Sequence, residues 1–484
     1  MIEAIETQPH AASRSGILLV TLYEGQDFSL PGLEQISISH PQFTGDNGSR
    51  EAGSLGSSSL HSDVPAPCLE RDTAKNLPYA LLDVDQEQFI VNAVSGTVTD
   101  PIWVGDGVPY KFDVCQPAEL VVRVYRPNLN SVLGSEQNED ILLGVKRIDL
   151  HFEETHGYET DRGKHAKLVG HLGVELMEVQ GGTGKIRIGL EYIKNKTSTS
   201  NADDFKLLES LENGSFGTLL EVQKRDTTRI YTMKRSRKRT IPNPQTAYSP
   251  EELSALFRIE SPFIAPLKFS FQSPERLWLL LASPNGGDLL GHLQRDLRFD
   301  VDRSRLYAAE LLCAIECLHC FDGIKRGLKP ENIHLDYLGH IALCDFSLFQ
   351  LHLKDDHKSR IAEYIAPELL SGRDYSKVVD WWTLGCLLYE MLTGLPPFYD
   401  ENPKEMNQKI LTEPLHFPGP EFFPPSAEDI LTKLLNRNPD QRLGANGASE
   451  VRAHPFFDEI DWDKLYQREY EPAFKPSVSV HILY

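Results

Sequence analysis

Near the middle of the chain stands GLKPENIHLD, residues 327–336, followed after a short spacer by CDFSLFQL, residues 344–351. The reading of this stretch depends on what lies on either side of it. Upstream, from Phe205, the sequence gives a strand, the Gly-rich turn ENGSFG (Glu212 to Gly217) and two further strands, with YTMK ending at Lys234. Downstream, a long helical region runs from about Ala308 through the Trp381 and Trp382 pair to Phe457. A small sheet-rich lobe therefore precedes a large helical one, and the quoted stretch lies within the latter.

Further segments fall in a fixed order: EELSALF (251–257), IAPELL (365–370), DWWTLGCLLYEMLTG (380–394) and RLG (442–444). Together with the Gly-rich turn, YTMK and the two quoted segments, they resemble the protein kinases. LKPENI, DWWTLG, TGLPPF and HPFF point to AGC serine/threonine kinases, especially the Ypk/SGK-like branch, over roughly residues 205 to 475. The resemblance implies an α+β bilobal kinase fold with ATP and Mg²⁺ as cofactors.

On that resemblance, Gly214 and Gly217 are the second and third glycines of a nucleotide loop whose first glycine is replaced by Glu212. Lys234 stands where a lysine grips the α- and β-phosphates. Glu252 is the helix carboxylate expected to hold it: Leu256 follows one turn later on its face, whereas Glu251 has only Ala255. Lys329 occupies a catalytic-loop position, and Asn332 and Asp345 are the expected metal ligands. Glu368 and Arg442 resemble a buried pair that fixes the helical lobe. Asp288, Glu331 and Glu390 resemble the acids that read basic protein substrates; ordinary surface or fold-stabilising acid is the plainer reading.

The same comparison exposes losses. In IKRGLKPEN, Gly327 stands at the catalytic aspartate position, so no carboxylate accepts the substrate hydroxyl proton. Lys325 replaces a ring that packs beneath the phenylalanine Phe346, and Ser347 replaces the glycine that follows it. The segment between KDDHKSR and AEYIAPE is about four residues shorter than the family pattern; Ser359 is a candidate substitute phosphosite, with an ordinary loop serine the plainer reading. The tail from 458 to 484 is expected to be truncated before its hydrophobic motif.

Ahead of this region, GILLVTLYEG, YALLDV, QFIVNAV, YKFDV, ELVVRVY, ILLGVKRIDL, HLGVELMEV and KIRIGLEYI read as strands separated by Gly, Pro, Asn and Asp turns. An all-β antiparallel sandwich is expected. It resembles the C2 domains of fungal Ypk-type kinases over roughly residues 15 to 193, with residues 1–14 and an insertion at about 34–76 read as disordered. KNKTSTSNADD, 194 to 204, has linker composition, and the kinase region is expected over 205–457. Arg126, Pro127 and Asn128 stand where a calcium-binding C2 domain shows acids, and Asp83, Asp85, Asp106 and Asp113 are read as solvated charge, so no calcium site is expected.

With 49 basic against 70 acidic residues the net charge is −21, which offers no general attraction to nucleic acid. The N-terminus lacks a signal pattern, LWLLLA is far too short to span a membrane, and the 7 cysteines suit a reducing compartment, so a soluble cytoplasmic protein is expected. Cys313, Cys317 and Cys320 with His319 sit at helical spacing; the buried face of an amphipathic helix is preferred over a metal site. Two main functional readings follow. The first is a pseudokinase with weak ATP binding, acting as a regulatory or scaffold protein through protein partners and calcium-independent membrane contact. The second is a residual serine/threonine kinase acting on basic-motif proteins. A decayed paralogue is the third.

Overall fold

The computed structural model describes residues 16–29, 77–105, 107–114, 118–128, 140–150, 166–168, 174–194, 201–214, 217–237, 257, 259–273, 275–320, 328–344, 362–373, 376–419 and 423–476. The expected disordered segments, the greater part of the linker, Glu252, Gly327, Asp345, Ser359 and Asp106 lie outside these residues.

The first half is built from β1 (Gly16–Gln26), β2 (Tyr79–Val84), β3 (Glu87–Asn92), β4 (Ser95–Gly96), β5 (Pro101–Ile102), β6 (Tyr110–Val114), β7 (Ala118–Arg126), β8 (Ile141–Leu150), β9 (Ala166–Leu168), β10 (Val174–Glu178) and β11 (Lys185–Lys194). One six-stranded sheet runs β10-β11-β1-β5-β4 with β6 also on β1; a five-stranded sheet runs β3-β2-β7-β8-β9. Leu18, Val20, Phe112, Ile188 and Leu190 of the first meet Ala80, Leu82, Val122, Val124 and Ile148 of the second in one core. The alternation of GILLVTL follows, since every second side chain enters that core. The expected antiparallel order holds apart from β8 and β9, which pair in parallel. YALLDV does not alternate: all six residues are buried, because its outer face is also covered.

The second half begins with β12 (Phe205–Gly214), β13 (Gly217–Lys224), β14 (Ile230–Arg237), β15 (Leu267–Gln272) and β16 (Arg276–Ala282), ordered β12-β13-β14-β16-β15. LWLLLA is thus a strand of this sheet, whose aromatic cluster includes Phe205, Tyr231 and Phe269. Helices follow: α1 (Leu289–Asp296), α2 (Val301–His319), α3 (Pro367–Leu370), α4 (Val379–Thr393), α5 (Pro403–Thr412), α6 (Pro425–Leu434), α7 (Ala448–Arg452) and α8 (Trp462–Tyr466). Helical structure therefore starts before Ala308, because Asp288 and Asp300 cap α1 and α2 with their carboxylates. α4 is apolar around almost its whole circumference and is accordingly the buried axis of the helical lobe. The glycine of RLG has a structural cause: Gly444 has φ +92°, and a Cβ there would stand 2.5 Å from the Trp381 ring.

Between α2 and α3 lies a short hairpin, β17 (Ile333–Leu335) with β18 (Ile341–Leu343). It is held from two sides. Leu335 exchanges backbone hydrogen bonds with Gly286 and Gly287 of the segment linking sheet to helices, and Leu343 does so with Phe263 and Ala265 of the sheet lobe. This hairpin places the decisive sequence stretch at the junction of the five-stranded sheet and the helices.

Candidate functional site

Five of the expected site residues are described: Gly214 on β12, Gly217 on β13, Lys234 on β14, and Lys329 and Asn332 at the turn ahead of β17. β12 and β13 pair as far as Gly214 and Gly217, with register shifts between Leu207 and Glu209 and between Ser210 and Glu212. On β14, Lys234 pairs with Leu219 of β13 and Leu279 of β16, so a central strand carries it. Lys329 precedes a single turn of 3₁₀-helix, Pro330 to Asn332, where Pro330 at the first position needs no N–H partner. Its ammonium lies 3.8 Å from Glu331 Oε1. The Asn332 carbonyl accepts from the Cys344 amide at 2.7 Å, fixing the end of β18 beside the start of β17. Glu252, Gly327 and Asp345 fall outside the described residues, so their roles rest on sequence.

Around Glu331 the structure gathers an acidic cluster. Glu390, on α4, is buried and accepts from the Tyr364 hydroxyl at 2.7 Å. Burial pushes its carboxyl up to about 7, with Glu363 and Glu331 adding to the effect and the Tyr364 bond opposing it. Burial and Glu331 likewise raise Glu363. Glu331 and Glu390 thus belong to one electrostatic group, and Glu363 joins them. Sequence reading missed Glu363; the cue was an acid just ahead of the IAPELL segment in AEYIAPE. Asp288 plays the plainer part: it caps α1 by accepting from the Gly291 amide at 2.8 Å. Its neighbour across a backbone bridge is His334, whose imidazole burial pulls toward the neutral form against the Asp288 charge.

Glu368 and Arg442 do form a buried bidentate pair, at 2.7 and 2.9 Å. The guanidinium also reaches the carbonyls of Asn436 and Val378, so one side chain joins α3, the start of α4 and the segment after α6. His319 Nε2 donates to the Asp380 carboxylate at 2.8 Å, and Cys313 is buried on α2 with its thiol pushed up to about 12 by burial. Among the described residues no group of three or more His, Cys, Asp or Glu is arranged to hold a metal ion.

The aspartates of the first half require a correction. Among the described residues, Asp83, Asp85 and Asp113 are not solvated charge: Asp83 and Asp113 are 6% and 1% exposed. Asp113 accepts from Lys224 (2.9 Å), Thr227 (2.8 Å) and Tyr231 (2.6 Å), all in the second half of the chain. Asp85 pairs with Lys268, and Asp83 with Arg123 and Arg468. Strand-end carboxylates read as exposed when the partner surface that covers them is far away in sequence.

Comparison with known proteins agrees with this geometry. The family described as protein kinase domain matches residues 205–457. The serine/threonine protein kinase ypkA of Aspergillus fumigatus is 47% identical over 514 residues, covering 98% of this chain and 81% of its own length. The serine/threonine-protein kinase gad8 of Schizosaccharomyces pombe is 44% identical over 408 residues, 83% of this chain and 68% of its own. The serine/threonine-protein kinase YPK1 of Saccharomyces cerevisiae is 39% identical over 525 residues, 98% and 76% respectively. No helix among the described residues is long and apolar enough to cross a membrane. The matched domain, the ordered motifs and relatives that align along nearly the whole chain lead to one conclusion: the chain belongs to the protein kinase family, in its AGC serine/threonine group.

Proposed function

We propose that this kinase homologue is a pseudokinase, a regulatory or scaffold protein with weak ATP binding and strongly impaired phosphoryl transfer. The observation that carries the reading is Gly327 in IKRGLKPEN: glycine has no group to orient a substrate hydroxyl or accept its proton, a loss of roughly 10²- to 10⁴-fold by itself. The phosphate-handling side is better kept. Lys234 on its central strand, Lys329, and Asn332 at the lobe junction supply a cation-and-amide donor set that fits ATP, with Asn332 and Asp345 as the proposed holders of Mg²⁺. When bound, the metal would neutralise phosphate charge. Glu212 brings a carboxylate to the nucleotide loop and opposes an anionic ligand. The sparse cysteines support a reducing, cytoplasmic setting. The first half, read as C2-like, supplies partner or calcium-independent membrane contacts.

Nucleotide titration followed by thermal stability, with and without Mg²⁺, tests this reading. Weak stabilisation is expected, and Glu212→Gly should enlarge it. Wild-type binding as firm as that of an active kinase, or no gain in the variant, counts against the proposal.

A second reading, a residual serine/threonine kinase acting on basic protein substrates, is favoured by the Glu331, Glu363 and Glu390 cluster. Acidic groups that raise one another's protonation beside the catalytic-loop segment suit a cationic side chain. The discriminating measurement is phosphate transfer to a basic peptide.

A further inference from the structure

The turn joining β2 and β3 is tight, with Asp85 at φ 50° and Gln86 at φ 66°, and it is driven into the second half of the chain. Its contacts reach three separate segments. Gln86 Nε2 donates to the carbonyls of Pro262 (3.2 Å) and Ile264 (2.9 Å), in the loop that leads into β15. Asp85 and Glu87 pair with Lys268 of β15, and Tyr231 of β14 donates to Glu87 at 3.2 Å. Gln88 donates to Asp336 at 3.1 Å and accepts from the Tyr337 amide at 2.9 Å, both in the β17–β18 hairpin. One turn of the sandwich thus holds the sheet lobe, the loop at its edge and the hairpin at the lobe junction.

A second anchor lies beside it. Asp113 binds Lys224, Thr227 and Tyr231, and Arg229 stacks on Phe89 with its guanidinium carbon 3.0 Å from the ring centroid. These side chains are buried by the sandwich, and unpaired they would leave charge in a low-dielectric setting. On the helical side, Leu338 seats among Tyr79, Leu81 and Tyr125, while Arg468 reaches Asp336 and Asp83. Next to the turn the surfaces part around a cavity of about 920 Å³ lined partly by Arg123, Arg147, Gln467 and Glu469. The junction is therefore a set of discrete, geometrically exacting contacts rather than a continuous apolar seam.

We propose that the sandwich is a brace that fixes the sheet lobe against the helical lobe, with the β2–β3 turn as its tip and Asp113 as its anchor. A module tethered only for recruitment would need none of these contacts, and none would have to span both lobes. Gln86 acts here as a positioning residue: it clamps the loop whose neighbours Phe263 and Ala265 bond to Leu343 of the hairpin.

The test uses the full chain with a protease site inserted between residues 195 and 200. After cleavage the two halves should co-elute at about 1 µM, a modest demand on an interface this well bonded, and melt in one transition. In the uncut chain, Gln86→Ala should speed hydrogen exchange at the Ala265 and Leu343 amides by about tenfold, the scale set by losing hydrogen bonds to a clamp. Asp113→Asn should lower the melting temperature, whereas Glu178→Gln, exposed on the far sheet, should change neither quantity. Separation of the halves, or precipitation of one of them, would overturn the proposal. So would co-elution with exchange at Ala265 and Leu343 unchanged in Gln86→Ala, since the sandwich would then adhere without bracing.

Discussion

Asp113 Oδ1 of the sandwich lies 2.9 Å from Lys224 Nζ of the sheet lobe, with both side chains less than 5% exposed. Such a pair is costly to desolvate and costly to break: without Asp113 the buried Lys224 ammonium keeps only the half-exposed Asp226, and without Lys224 the Asp113 charge stays buried on neutral hydroxyls. Asp113→Ala should destabilise the chain by about 3–5 kcal/mol. Combining it with Lys224→Met should cost clearly less than the sum of the two single changes. A double-mutant cycle in denaturant measures the coupling, and additive effects would mean that the two charges act independently.

The Glu390 carboxyl predicts an unusual pH dependence. Its folded pKa, about 7, lies above the ordinary value of 4.5, so the folded state holds the proton more tightly than the unfolded chain. Stability should therefore fall as pH rises from about 4.5 through about 7, by an amount of order 3 kcal/mol. Glu390→Gln keeps an acceptor for the Tyr364 hydroxyl and removes the titration. Stability curves between pH 5 and 8 should flatten in the variant, and unchanged slopes would show that other groups dominate.

Arg442 joins three parts of the helical lobe through one guanidinium. Arg442→Met removes the partner of a carboxylate that is almost fully buried, and should cost about 3–5 kcal/mol by chemical denaturation. Arg442→Lys should rescue little of this, because an ammonium cannot make the paired bonds to both Glu368 oxygens. Near-complete rescue by lysine would point to charge alone.

Gly327→Asp should not restore phosphoryl transfer by itself. Lys325, Ser347 and the short segment before AEYIAPE remain, and contributions of groups that act together are strongly non-additive. In an assay with basic peptide, the single variant should stay well below about 1 s⁻¹, the low end for ordinary kinases. Adding Lys325→Tyr, Ser347→Gly and a family-length segment should raise it. Turnover near 1 s⁻¹ from Gly327→Asp alone would replace the pseudokinase reading with that of a kinase lacking one residue.

Long β-branched runs such as ELVVRVY are legible because each is bounded by turn residues, although Leu120 to Tyr125 are buried on both faces and show no alternation. Two-residue strands such as Ser95–Gly96 carry no period, and the parallel partner Ala166–Leu168 is too short to announce its direction. The start of the helical lobe was read late because VDRSRLY opens α2 with polar residues, and its cap, Asp300, precedes the apolar pattern. At the candidate site, Lys234, Lys329 and Asn332 were visible through motif order, whereas Glu363 was not, since a lone acid in a loop resembles any other. The inter-half contacts were the least legible. Asp113, Arg229 and Lys268 belong to segments far apart in the chain, and nothing local distinguishes a buried charge from a hydrated one.

Leu338 is 4% exposed, at the tip of the β17–β18 hairpin, because Tyr79, Leu81 and Tyr125 close around it. A recombinant piece beginning at Phe205 would bare that leucine together with the Lys224, Tyr231 and Lys268 surface. It would offer solvent a mixed apolar and ionic scar that the whole molecule never shows. Poor solubility or sluggish nucleotide response in such a fragment would describe the wound left by the cut, so ligand screens and crystallisation trials belong on the chain with its first half attached.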